Sequence, residues 1–279
     1  MRVHAVHRDA HGRSARTGRP SGTARHPRTT RSGCLRWTGW LNKWGRSVST
    51  AAIVLAGGSG SRLQHPDNKV FVPVGGRPLI AWSIQTFATS ASISHFVIVA
   101  RAGEHERVAG ILRDEPVQMP VRITTGGDTR HASEHAGLEA IADEIGDGAI
   151  DVVLIHDAAR PFIGGELIDR VTATAREVGG AVPALPLGDG IYRMDGDGGI
   201  VNQPSNLYRV QTPQGFVARE LLEAYRRAGK DGFTGVDTSE TVERYSTLEV
   251  AVVAGEATNI KVTFVDDLEA AEEIAAARA

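Results

Sequence analysis

From Thr50 onward, short β-branched apolar runs alternate with stretches whose apolar residues recur every three or four positions. The runs AAIVLA (51–56), HFVIVA (95–100), VRITT (121–125), DVVLI (151–155), GAVPAL (180–185) and a stretch near 249–253 predict strands. Helical spacing predicts helices near 78–89, 104–114, 130–143, 165–178, 217–228, 237–245 and 265–278. Alternation of this kind predicts an α/β fold: a mostly parallel sheet with helices on both faces. Ligands of such sheets bind beyond the carboxyl ends of the strands. The rhythm breaks at 186–206, where DGDGG between IYRM and IVN reads as the turn of a hairpin, an arm projecting from the domain.

The apolar fraction of 41% and charged fraction of 23% over 279 residues suit one large domain or two small ones. No apolar run reaches the roughly 18 to 20 residues of a membrane-spanning helix, so a cytoplasmic protein without a membrane partner is expected. The single cysteine, Cys34, excludes an intramolecular disulfide and a Cys-rich zinc site. Charge adds a division of the chain. Residues 1–48 hold 11 Lys and Arg against one acid, Asp9, which leaves 49–279 at a net −12. The Arg-, Ser- and Gly-rich head has too few apolar residues to offset the entropy of ordering, so 1–48 is expected to be a disordered basic extension and 49–279 the folded domain. Trp37, Trp40 and Trp44 share one helical face of a segment too short to stand alone. An inert tail or late translation start, an organelle transit segment and a nucleic-acid-binding tail are the open readings of this head. The acidic body argues against nucleic acid.

Motifs stand where the strand-end rule puts them. The first strand runs into Leu55-Ala56-Gly57-Gly58-Ser59-Gly60-Ser61-Arg62, with Asn68-Lys69 shortly after. Glycines after a buried strand let backbone N–H groups converge on an anion, and Arg62 and Lys69 add positive charge there. The loop is neither a Walker A sequence nor a full dinucleotide fingerprint, and a plain Gly-rich turn is the alternative. The third strand runs into Gly126-Gly127-Asp128-Thr129-Arg130-His131-Ala132-Ser133. Arg130 and Ser133, one helical turn apart, would aim donors at a base or ribose from a helix start that Asp128 or Thr129 caps. The fourth delivers His156-Asp157-Ala158-Ala159-Arg160-Pro161. There Asp157 would hold a divalent cation or position a phosphate that Arg160 neutralises, unless the two simply form an ion pair. No G-x-S-x-G elbow accompanies His156, which disfavours hydrolase chemistry. QTPQGF (211–216), Asp237-Thr238-Ser239 and Asn259-Ile260-Lys261-Val262-Thr263 place more polar groups at element ends, with Lys261 in reach of a second phosphate.

In this order and at these spacings, the LAGG-S-G-S-R…NK loop, GGDTRHAS, HDAARP, QTPQGF and ATNIKVT resemble the motifs of a known family. It is that of the 2-C-methyl-D-erythritol 4-phosphate cytidylyltransferases, close to the ribitol-5-phosphate cytidylyltransferases, and the similarity covers about residues 50–279. The resemblance implies a Rossmann-like nucleotidyltransferase fold, CTP and a polyol phosphate as substrates, Mg2+ as cofactor, and a homodimer built partly by the arm. It also implies that Ala56, Gly57, Gly58, Ser59 and Gly60 wrap the triphosphate, while Arg62 and Lys69 stabilise the α-phosphate and the leaving pyrophosphate. Gly126, Gly127, Asp128, Arg130 and Ser133 would line the cytidine pocket, with Ala158 also at the nucleotide. Asp157 and Arg160 would sit between nucleotide and acceptor, and Lys261 on the acceptor side. Two positions depart from the family. The arm Arg eight residues before Thr-Pro-Gln is Pro204 here, and the arm's opening Asp-Thr is Asp189-Gly190. Arg193 and Arg209 are the candidate replacement cations. The leading expectation is CMP transfer to methylerythritol 4-phosphate for isoprenoid precursor synthesis. The alternatives are the same chemistry on ribitol 5-phosphate or another polyol phosphate, and a nucleotide binder without turnover.

Overall fold

A computed structural model describes residues 49–58, 67–188, 190–202 and 204–278. The expectations for the basic head, including the Trp37, Trp40 and Trp44 face, and for Ser59, Gly60 and Arg62 lie outside these residues. In chain order come β1 (Ser49–Leu55), a 3-10 turn (Lys69–Phe71), the short strands β2 (Pro73–Val74) and β3 (Arg77–Pro78), α1 (Leu79–Thr89), β4 (Ile93–Ala100) and α2 (His105–Asp114). Then follow β5 (Val121–Thr125), α3 (Arg130–Glu139), α4 (Ala142–Gly146), β6 (Ile150–Asp157), α5 (Gly165–Val178) and β7 (Gly179–Pro186). The rest comprises β8 (Arg193–Met194), β9 (Ile200–Asn202), β10 (Tyr208–Val210), β11 (Gln214–Val217), α6 (Ala218–Lys230), α7 (Thr238–Tyr245), β12 (Glu249–Ala254) and α8 (Asp266–Ala276).

Eight of the strands make one sheet in the order β5-β4-β1-β6-β11-β7-β12, with β10 beside the far end of β7. β1 lies parallel between β4 and β6, and β5 and β12 also pair in parallel. The predicted parallel sheet is thus present, with two additions, the antiparallel strands β10 and β11. β11 inserts antiparallel between β6 and β7, leaving those two running the same way. Central strands are apolar on both sides because both faces are covered. Ala52 and Val54 of β1 pack on one face with α1, α2 and α5 residues such as Ile84, Val108 and Leu167. Ala51 and Ile53 pack on the other with Leu138, Leu221, Tyr225 and Val242 of α3, α6 and α7. Each fully buried Ile or Val here contributes roughly 1.5 to 3 kcal/mol. A third cluster seats α8 on β2 and the start of α1 through Val74, Leu79, Ala271 and Ala275.

The helix predicted over 130–143 divides into α3 and α4. Ile141 leaves helical geometry (φ −126°, ψ 21°), and the break leaves Leu138, Ile141 and Ile145 all buried against the sheet. The predicted hairpin is present as β8 and β9, with the Asp195 carboxylate accepting from the N–H groups of Asp197 and Gly199 at its turn. The sheet therefore gathers the ends of β1, β4, β5 and β6 on one side, where the motifs lie.

Candidate active site

A cavity of about 750 Å3 opens at those strand ends. Gly57 and Gly58 after β1, Arg101 after β4, Gly126 to Arg130 after β5, Asp157 at the end of β6 with Ala159 just beyond it, and Lys69 and Lys261 surround it. The pairs of glycines differ in what requires them. A Cβ on Gly127 would meet the Ala132 side chain at 2.5 Å, so the start of α3 packs too close for any side chain there. A Cβ on Gly57 would meet nothing nearer than 3.8 Å and one on Gly58 nothing within 4 Å, and neither residue has a positive φ. Among the described residues nothing fills the space above Gly57 and Gly58, which leaves room there for an anion of the kind that backbone N–H groups can bind. Thr129, not Asp128, caps α3 by accepting from the Ala132 N–H at 3.0 Å. The Ser133 hydroxyl turns back to the carbonyls of Thr129 (3.0 Å) and Gly127 (3.2 Å) while lining the cavity.

Asp157 is the electrostatic centre. Its Oδ1 accepts from Arg130 Nη1, its Oδ2 from Lys261 Nζ at 2.7 Å, and Arg160 Nε lies 4.0 Å away. Burial alone would raise its pKa, but Arg130, Lys261 and Arg160 outweigh that and hold the carboxyl below the ordinary carboxylate value. Arg130 is itself gripped from both sides, since its Nε donates to Glu134 Oε1 at 2.9 Å. Burial works against the charge on Arg130, yet Asp157 and Glu134 raise its pKa. Glu134 is 1% exposed and also accepts from Tyr225 Oη and from Thr238 Oγ1 (2.8 Å).

Lys69 is carried by the turn that Asn68 caps, and Asn68 also donates to the Ala56 carbonyl at 2.8 Å, tying the turn to the end of β1. Lys69 Nζ donates to the Val262 carbonyl at 3.0 Å, which joins it to the strip that carries Lys261. Arg160 falls behind the cavity rather than in it. It is buried, and its Nη groups donate to the carbonyls of Asn259 (2.9 Å) and Val210 (3.2 Å). Its 4.0 Å approach to Asp157 adds charge without a hydrogen bond. Ala56 and Ala158 are likewise core residues, fully buried, their N–H groups spent on Val99 and Leu55, and Ala159 takes the place at the cavity expected for Ala158.

His156 is fully buried, and the hydrogen bonds fix its tautomer. Thr212 Oγ1 accepts from the Asp157 N–H (3.0 Å), so its own proton goes to His156 Nδ1 (3.1 Å). Nε2 then carries the ring proton and donates to the Arg160 carbonyl at 3.0 Å. Burial pushes its pKa down to about 4, so the ring is a neutral strut that orients Asp157. The QTPQGF motif is architectural in the same way. Gln211 bonds Glu256 and Asn259, and Gln214 bonds Asp237 and Ser239, tying the root of the arm to the loop before Lys261 and to the start of α7. The sequence reading passed over Arg101 and Glu134. Arg101 directly follows HFVIVA, where the strand-end rule applies, and Glu134 stands four residues beyond Arg130 on α3.

Among the described residues no three His, Cys, Asp or Glu side chains gather into a metal cage. Both Asp157 oxygens already face cations. The donors present fit a divalent cation whose ligands come mostly from bound phosphates, the usual arrangement for Mg2+ at nucleotide sites.

The family model described as 2-C-methyl-D-erythritol 4-phosphate cytidylyltransferase matches residues 50–277. The chain belongs to this family. A cytidylyltransferase of that name from Bacillus velezensis is 37% identical over 223 residues, covering 80% of this chain and 94% of the relative. One from Geobacillus kaustophilus is 36% identical over 230 residues, covering 81% and 97%. The 2-C-methyl-D-erythritol 4-phosphate cytidylyltransferase of Thermus thermophilus superposes with a TM-score of 0.64 at 31% identity, over 81% of this chain and 98% of that one. The 4-diphosphocytidyl-2C-methyl-D-erythritol synthase of Anaerococcus prevotii gives 0.71 at 27%, over 81% and 96%. Membership of the cytidylyltransferase family makes the chain a nucleotidyltransferase of Rossmann-like fold, and the cavity occupies the strand ends where such folds bind nucleotides.

Proposed function

We propose that the protein transfers CMP from CTP to 2-C-methyl-D-erythritol 4-phosphate, releasing pyrophosphate, in the cytoplasmic synthesis of isoprenoid precursors. The observation that carries this reading is the pairing of an unfilled glycine cradle at Gly57 and Gly58 with Lys69, Arg130 and Lys261 around one cavity. An oxygen of the acceptor's phosphate attacks the α-phosphorus of CTP in line, the bond to the β-phosphate oxygen breaks, and pyrophosphate leaves with the electron pair. No proton need move and no covalent enzyme intermediate is required. The protein's task is to bring two anions together and to stabilise the charge that develops between them.

The cradle receives the triphosphate; Lys69, with Arg62 seven residues before it in the sequence, stabilises the α-phosphate and the departing pyrophosphate. Gly126, Asp128, Arg130 and Ser133 flank the nucleoside, and Arg130 is locked in place by Asp157 and Glu134. Lys261, held by Asp157, meets the acceptor phosphate. Mg2+ travels with the triphosphate and neutralises part of its charge when bound. With Pro204 at the arm, the acceptor's second cation comes from Arg193 or Arg209; Arg209 is near enough for its charge to act on Arg160. The arm also makes the homodimer.

Pyrophosphate release by residues 48–279 with CTP and Mg2+ tests the reading, using methylerythritol 4-phosphate, ribitol 5-phosphate, glycerol 3-phosphate or no acceptor in separate wells. Turnover confined to methylerythritol 4-phosphate is expected. Turnover with ribitol 5-phosphate alone would reassign the acceptor, and CTP binding without turnover in any well would make the protein a nucleotide binder.

A further inference from the structure

Three neighbouring strand ends form the floor of the cavity. β1 leads into Gly57 and Gly58, β5 into Gly126 and Gly127, and β4 between them leads into Arg101. The backbone holds the three together: the Ala56 N–H donates to Val99 at 2.8 Å and the Gly126 N–H to Ala100 at 2.8 Å. A charged side chain is therefore flanked on both sides by residues that have none. Arg101 Cγ lies 3.8 Å from where a Gly57 Cβ would stand, so the side chain runs along the open cradle. The other described basic residues of the cavity wall are engaged by the protein: Arg130 by Asp157 and Glu134, Lys261 by Asp157, and Lys69 by the Val262 carbonyl. Among the described residues, Arg101 has no hydrogen-bond or ion-pair partner for its guanidinium.

We infer that Arg101 binds a phosphate group of the nucleotide beside Gly57 and Gly58. A guanidinium presents paired N–H donors to phosphate oxygens, and it exerts this grip best where no protein carboxylate competes for it. Gly57 and Gly58 offer backbone N–H groups that suit a phosphate, whereas Asp128 and Thr129 line the cavity beyond Gly126, and Ser133 Oγ reaches both, 2.7 Å from where a Gly126 Cβ would stand and 3.8 Å from where a Gly57 Cβ would. Arg101 follows the strand as an exposed turn residue, with only its backbone carbonyl used, by the Glu104 N–H at 3.1 Å. Its replacement leaves the core untouched.

The inference rests on the proposed CTP site, and the test separates the two. Arg101→Gln is compared with wild type by calorimetric titration with CTP, CMP and cytidine and by steady-state turnover, with the exposed Arg113→Gln as a charge control. Expected for Arg101→Gln is about a tenfold loss of CTP affinity, carried by KM with kcat little changed. Cytidine binding stays the same, and Arg113→Gln behaves as wild type. An equal loss on cytidine would place Arg101 at the base and overturn the phosphate assignment. Unchanged CTP binding, with wild type active, would overturn the inference alone, whereas a wild type that neither binds nor turns over CTP would remove the site reading and this inference with it.

Discussion

At the scale of single residues, the glycines separate fold from function. Gly57 has room for a methyl group and no positive φ, so Gly57→Ala is expected to leave thermal stability equal or raised by about 0.4 to 1 kcal/mol through the unfolded chain. The same methyl group would occupy the cradle and raise KM for CTP. Gly127→Ala, driven into Ala132, should lose stability first. Melting temperatures set beside CTP titrations of the two variants check the contrast, and a Gly57→Ala protein with normal CTP affinity would remove the cradle. Lys69→Ala is expected to cut kcat about 100-fold or more, with a modest stability loss from the orphaned Val262 carbonyl. His156 supplies the pH dependence. Its folded pKa of about 4 lies below the 6.5 of the unfolded chain, so its contribution is complete above pH 6.5 and is lost as pH falls toward 4. That loss amounts to about 3 kcal/mol, and the depressed Asp157 carboxyl adds to it only below pH 3.8. Urea unfolding at pH 7.5, 6 and 5 should show a progressive fall. A flat profile would mean that the ring is not a buried neutral strut.

At the scale of elements, α3 joins the site to the helices behind it. Glu134 takes the Arg130 guanidinium on one side and hydrogen bonds from α6 and α7 on the other, through Tyr225 and Thr238. Glu134→Gln keeps the shape but removes the charge that fixes Arg130. Stability should fall by about 1 to 3 kcal/mol, and CTP affinity should fall with it. A stability loss at unchanged affinity would confine Glu134 to packing. This network also shows where sequence reasoning stops. Most helices and strands were legible because their apolar spacing is long and regular, and α1, α2, α5, α6, α7 and α8 stand within two residues of their predicted bounds. β10 and β11 were not, since strands of three and four residues, the second holding Gly215, carry no period, and the break at Ile141 is set by the core and not by propensity. The candidate site was legible wherever a motif follows a strand. What stayed hidden depends on side-chain partners far apart in sequence: the retreat of Arg160 onto Asn259 and Val210, the burial of Ala158, and the bond between Glu134 and Tyr225.

At the scale of the whole molecule, the arm is the part that the fold leaves incomplete. Among the described residues β8 and β9 pair only with each other, and a two-stranded hairpin is marginal alone in water. Yet Tyr192, Met194, Ile200 and Val201 are each 50 to 65% exposed on it, and Tyr208 and Val210 extend the apolar surface to the arm's root. Solvating so much apolar side chain on so slight a scaffold is unfavourable unless another surface covers it. In the proposed homodimer the two arms cover each other, and a stable interface of this kind buries about 1,200 to 2,000 Å2 in total. The body, at net −12 over 49–279, would otherwise repel its copy, so the apolar arm must supply the attraction. Sedimentation equilibrium at micromolar concentration should give twice the monomer mass for the wild type. The double variant Met194→Asp, Ile200→Asp places two carboxylates in that interface and should sediment as a monomer with an unchanged melting profile for the sheet domain. Its turnover then reports whether the arm acts only as glue. If Arg193 or a neighbouring arm residue reaches the partner's acceptor site, KM for the acceptor should rise while CTP affinity holds. A wild type that is monomeric at these concentrations would overturn the arm-mediated dimer.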